Sequence, residues 1–172
     1  MKNMFFMTQP TTIQFRRGFV FFVLAALTLS LLPTPQANAM RRHRMMPISG
    51  SYDTVVGPFT PIEPNTVYVV IKQQGSARPI GSFTGTIVQT VNFSDFSLQA
   101  LSTFITADGD VLRAVSTGFG EQSGTTVTFE GSFEFTGGTG KFRDARGTAH
   151  FTGSANLVTN IGHVEFRGLI SY

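Results

Sequence analysis

A chain of 172 residues has room for one domain and little more. Its net charge of +3 is a property of its first residues: Lys2, Arg16 and Arg17 precede Met40, and from Met40 onward ten basic side chains stand against ten acidic ones. With no basic face and no cysteine, nucleic-acid binding, disulfides, thiolate metal sites and a lipid-bearing N-terminal cysteine are not expected.

The chain has 18 Phe and 18 Gly, but no Trp and only 3 Tyr. That bias predicts many strands, tight turns and a core built on phenylalanine.

In chain order, the first element is a leader. Residues 1–17 end on Arg16-Arg17, Gly18 to Leu32 form an unbroken run without charge, and Pro33 and Pro35 break it before Ala37-Asn38-Ala39. A charged start, a short apolar run and a small-x-small site make a secretory signal cleaved after Ala39. As a helix the run reaches only about 22 Å, short of the roughly 30 Å hydrocarbon core, so no stable membrane anchor is expected after cleavage. The order Arg16-Arg17-Gly18-Phe19-Val20 also resembles a twin-arginine signal. The protein is therefore expected to be exported, to a periplasm or the extracellular space. Residues 40–64 open with Met-Arg-Arg-His-Arg-Met-Met and continue rich in Gly, Pro and Ser. They read as a flexible, solvated arm.

The domain proper is expected over 65–172. Strands are read near 66–72, 82–91, 93–99, 101–107, 111–119, 125–136, 147–158 and 163–171, separated by turns such as Asp108-Gly109-Asp110 and Gly137–Gly140. No segment after the leader carries a helical period. The expected fold is all-β, an eight-stranded antiparallel closed barrel.

Alternation is clearest late in the chain. Val127, Phe129, Gly131, Phe133 and Phe135 share one face, opposite Thr128, Glu130, Ser132 and Glu134. Phe151 with Gly153, Phe166 with Gly168, and Phe83 with Gly85 repeat the device. A glycine two residues from a phenylalanine lets the strand bend while a ring covers its bare backbone. Barrels need such bends to close. If this face points inward, the barrel is soluble and Phe83, Phe129, Phe133, Phe135, Phe151 and Phe166 line or fill a cavity. If it points outward, the pattern fits a small outer-membrane barrel with a polar lumen, although the aromatic girdles of Trp and Tyr are missing.

Gly137–Ala149 reads GGTGKFRDARGTA. This resembles the GGTGxFxxARGxA signature of dirigent proteins and, more broadly, of allene oxide cyclase-like barrels, and the likeness extends over about 80–172. The resemblance implies an eight-stranded antiparallel barrel with an apolar cavity, often trimeric. Dirigent proteins steer the coupling of phenoxy radicals, and allene oxide cyclases fold a reactive epoxide into one product. Arg146 matches the family arginine, whereas Lys141 stands where some members carry an acid.

No hydrolase triad, metalloprotease or nucleotide motif is present. His150 and His163 read as surface histidines, Asp108-Gly109-Asp110 as a hairpin turn, and Arg146 as a partner for Asp144. No metal or cofactor is expected. Two function classes remain: a binding module for a small apolar ligand, or a rigid envelope component, on one side; an enzyme positioning a reactive intermediate beside Arg146 on the other. An open cavity with Arg146 at its mouth would favour the enzyme.

Overall fold

The computed structural model describes residues 44–172, so the leader lies outside the described residues. Nine strands follow: β1 (Met46–Val56), β2 (Thr60–Glu63), β3 (Thr66–Arg78), β4 (Gly81–Asn92), β5 (Ser97–Thr106), β6 (Val111–Ser123), β7 (Thr126–Gly138), β8 (Arg146–Asn156) and β9 (Ile161–Ser171). One 3-10 turn, Gly140–Phe142, interrupts the β7–β8 connection. From β3 to β9 each strand pairs antiparallel with the next. β1 closes the cylinder by pairing antiparallel with both β9 and β3. β2 is a short flap on the start of β3, leaving an eight-stranded closed barrel. Closure leaves no long edge open to another chain.

The count of eight is the expected one, but two strands were misread. Residues 46–56, assigned to a flexible arm, form β1 and supply the closing pairings. The segments 93–99 and 101–107 belong to one strand, β5, preceded by a turn at 93–96. β1 buries only Ile48, Tyr52 and Thr54 between serines and a glycine, so its inward face hardly looks apolar. β5 carries apolar residues on both faces: Leu98, Ala100 and Phe104 inside, Leu101 and Ile105 exposed outside. Apolar residues on both faces blur the two-residue period that marks a strand.

The phenylalanine face points inward. Phe83, Phe104, Phe133, Phe135, Phe151 and Phe166 are all buried, whereas Glu130, Glu134, Glu165 and Arg167 are exposed on the outer wall. An outer-membrane barrel needs the reverse, an apolar wall around a polar lumen. That reading is therefore corrected: here the dry face is the lumen and the charges face out.

The glycines work across strands more than along them. Phe104 stands opposite Gly85, Phe129 opposite Gly153, Phe151 opposite Gly131, and Phe166 opposite Gly50. A Cβ on Gly153 would fall 2.7 Å from Phe129 Cζ, and one on Gly131 would fall 2.6 Å from Phe151 Cζ. Each ring thus occupies the space its neighbour's missing side chain leaves. The result is a continuous aromatic layer through the barrel: Phe83 to Phe104 at 5.1 Å, Phe104 to Phe133 at 6.1 Å, Phe133 to Phe151 at 4.7 Å and Phe133 to Phe166 at 5.8 Å. Most of these rings meet edge to face, the arrangement their quadrupoles prefer.

The two ends differ. The base carries the β3–β4, β5–β6 and β7–β8 turns and is plugged by Phe142, which is fully buried and meets Tyr172 edge to face at 4.8 Å. The other end carries the β1–β2, β4–β5, β6–β7 and β8–β9 connections and is open.

Candidate functional site: an apolar cavity at the open end

Above the aromatic layer the inward side chains shrink, and the barrel is not filled. Val69 and Ile71 of β3, Ile87 and Val91 of β4, Leu98 of β5, Val127 of β7, Ala155 of β8 and Val164 of β9 surround a cavity of about 280 Å³. Tyr52, Phe129 and Phe151 also line it. Phe59, Phe93 and Phe96, from the β1–β2 and β4–β5 connections, complete its wall. Phe93 lies 6.3 Å from both Phe59 and Phe96, ring centre to ring centre. Phe59 and Phe93 remain partly exposed, at 42% and 44%. Exposed aromatics around an apolar opening mark a place where another apolar body can be covered.

The polar groups of the cavity are few and uncharged: Thr54, Gln89, Gln122 and the Tyr52 phenol. Burial in this apolar setting, away from water, pushes the Tyr52 hydroxyl well above the ordinary tyrosine range. It stays protonated, a hydrogen-bonding group rather than a base. This has a consequence for stability. Above about pH 10 the unfolded chain ionises this tyrosine while the folded chain keeps it neutral. The unfolded state then binds fewer protons, so stability falls as pH rises, by up to about 1.4 kcal/mol per unit. Denaturation at pH 9 and pH 11 should show a larger loss for the native protein than for Tyr52→Phe; equal losses would contradict the burial of this group.

Of the residues expected at a site, only Phe129 and Phe151 line the cavity. Phe83, Phe133 and Phe166 lie in the aromatic layer beside Phe104, and Phe135 is buried with Phe142 in the same core. Arg146 is elsewhere. It opens β8 at the base, is exposed, and donates from Nη1 to the Ala145 carbonyl at 2.7 Å. It forms no ion pair with Asp144 among the described residues; Lys141 pairs with Asp108 at 3.0 Å, and the His163 ring is in hydrogen-bond contact with Asp53 at 2.7 Å. Arg146 therefore does not stand at the mouth.

The glycine motif holding Arg146 builds the base plug. Thr139 extends the ladder, its N–H donating to Val111 O at 2.8 Å and its Oγ1 accepting from Val111 N at 2.9 Å. Gly140 has φ +53°, and a Cβ there would collide with the Asp110 carboxylate. Glycine is needed at this point on both counts. Lys141 reaches across to Asp108, tying the motif to the Asp108-Gly109-Asp110 hairpin turn. Phe142 is thereby aimed into the core.

His150 is exposed on the outer wall, as expected of a surface histidine. The pairing of His163 with Asp53 was not foreseen, because β1 had not been read as a strand. No cluster of three or more metal-ligating His, Cys, Asp or Glu occurs among the described residues. Wider hollows, such as one of about 920 Å³ bounded by Ser49, His150, Glu165 and Arg167, lie on the outer wall, are more open and mix polar with apolar lining. Their openness leaves much of any bound molecule in water, so they bury an apolar molecule less completely than the mouth cavity does.

No protein-family model and no curated protein matches the chain. Among solved structures it is similar to two pterocarpan synthase dirigent proteins. PsPTS1 is 17% identical with a TM-score of 0.47, over 75% of this chain and 96% of that one. GePTS1 is 18% identical with a TM-score of 0.48, over 75% of this chain and 91% of that one. These likenesses concern the fold and say nothing of activity. The barrel rests on its own strand pairing.

Proposed function

We propose that this protein is a binding module that holds one small apolar molecule in the open end of its barrel. The observation that carries this reading is the contrast between the two ends. The base is packed with buried rings to the last turn, while the mouth leaves about 280 Å³ lined by aliphatic and aromatic carbon. A barrel serving only as a rigid envelope part has no need of that space, since eight strands enclose just enough room for side chains to fill. The volume sits at the lower edge of the roughly 300–1,000 Å³ range of ligand pockets, which suits a molecule of one to three rings.

The enzyme alternative is less well supported. Arg146 at the mouth would have favoured it, and Arg146 lies at the base. The groups that do line the cavity bind and orient; none of them is charged.

The test is titration with N-phenyl-1-naphthylamine, a neutral dye that brightens when it leaves water. Saturable binding is expected to the native domain, weakened at least about tenfold, or 1.4 kcal/mol, in Ala155→Phe, which places a ring in the cavity. Unchanged binding by a folded Ala155→Phe variant would place the dye elsewhere and remove this reading.

A further inference from the structure

The connections at the mouth carry acidic side chains and no basic ones among the described residues, and this bears on which apolar molecules the cavity accepts. The loops and strand ends around the mouth carry Glu63 at the end of β2 and Asp95 in the turn between Phe93 and Phe96, while Glu121, between the cavity-lining Gly120 and Gln122, faces the outer wall near the rim in a hollow it shares with His163. Asp95 accepts the Ser97 N–H at 2.9 Å, which favours its ionised form. Among the described residues, no lysine, arginine or histidine lies in these connections or lines the cavity. The basic side chains of the turns, Arg78, Lys141, Arg143 and Arg146, all lie at the opposite end, where Asp108, Asp110 and Asp144 accompany them. The wall cations Lys72, Arg113 and Arg167 occupy exposed, outward-facing positions on their strands.

We infer that the mouth cavity selects neutral or cationic apolar ligands and rejects anionic ones such as carboxylates and sulfonates. This rests on the proposed binding function and narrows it to a ligand class. An anion entering between Phe59 and Phe93 would shed water without meeting a cation, in the field of the nearby carboxylates. A neutral molecule incurs neither cost, and Thr54, Gln89 and Gln122 can still satisfy its hydroxyl, carbonyl or amine. A cationic group is drawn to the acidic rim while its apolar body goes in.

Two dyes with one aromatic body make the test. N-phenyl-1-naphthylamine is neutral, and 8-anilinonaphthalene-1-sulfonate is the same skeleton bearing a sulfonate. The sulfonate is expected to bind at least about tenfold more weakly, with the gap narrowing at high salt as the rim is screened. In Glu63→Lys/Glu121→Lys the gap should shrink severalfold, with the neutral dye's affinity unchanged. If both dyes bind equally and displace each other, or if the double variant leaves the ratio untouched, the charge selection is wrong while the cavity stands. If neither dye binds, the binding function falls and this inference with it.

Discussion

Replacing Phe104 with alanine is expected to lower the unfolding free energy by about 3–5 kcal/mol. Phe104 is 1% exposed and meets three other rings: Phe83 at 5.1 Å, Phe133 at 6.1 Å and Tyr52 at 6.4 Å. Its directly opposed neighbour on β4 is Gly85, which has no side chain to move into the gap. The aromatic layer cannot collapse where glycine is the neighbour, so the cost falls at the upper end of what such truncations produce. Small domains hold only about 5–15 kcal/mol in total, so the loss is a large share of the whole. Urea denaturation followed by circular dichroism measures it. Phe119→Ala, on the outer wall and half exposed, should cost less than about 1 kcal/mol. Equal effects at the two positions would mean that the rings do not share one interior.

Phe142→Ala is the second large effect, again about 3–5 kcal/mol. Phe142 is wholly buried, shares the core with Leu112, Phe135 and Ile170, and packs on Tyr172. Arg146, four residues on in the same motif, is exposed, and its side chain bonds only its neighbour's carbonyl among the described contacts. Arg146→Ala should cost no more than about 1 kcal/mol. Neither substitution should weaken dye binding by molecules that remain folded, because the cavity is at the other end of the barrel. A strong loss of binding in Arg146→Ala would return that residue to the site.

The architecture was legible where two-residue alternation was clean. β7, β8 and β9 each alternate Phe, Gly, Ala or Val against Thr, Ser, Glu or Arg, and all three were placed within a few residues of their observed bounds. β1 escaped because its inward positions include Gly50 and Thr54, residues that a barrel wants small and that a pattern search takes for loop. The Phe-Gly spacing along a strand was visible, but its partner across the strand was not. Pairings such as Phe151 with Gly131 depend on register, which no single strand encodes. The site was the least legible part. Its wall includes Phe59, Phe93 and Phe96, which belong to connections and show no period, and Ala155 and Val164, which matter because they are too small to fill the barrel. Arg146 drew notice through its motif, and the motif turned out to describe a plug.

Everything above depends on the phenylalanine and glycine face being the dry interior, and the chain's lack of cysteine allows a direct measurement. Thr148 and Ala149 are neighbours on β8; Thr148 is exposed and Ala149 is 1% exposed. Single-cysteine variants Thr148→Cys and Ala149→Cys, treated with a maleimide under native conditions, read out the two faces separately. The account predicts rapid labelling at position 148 and protection at 149 until urea unfolds the chain. Labelling of both at the same rate, with the domain still folded, would contradict it.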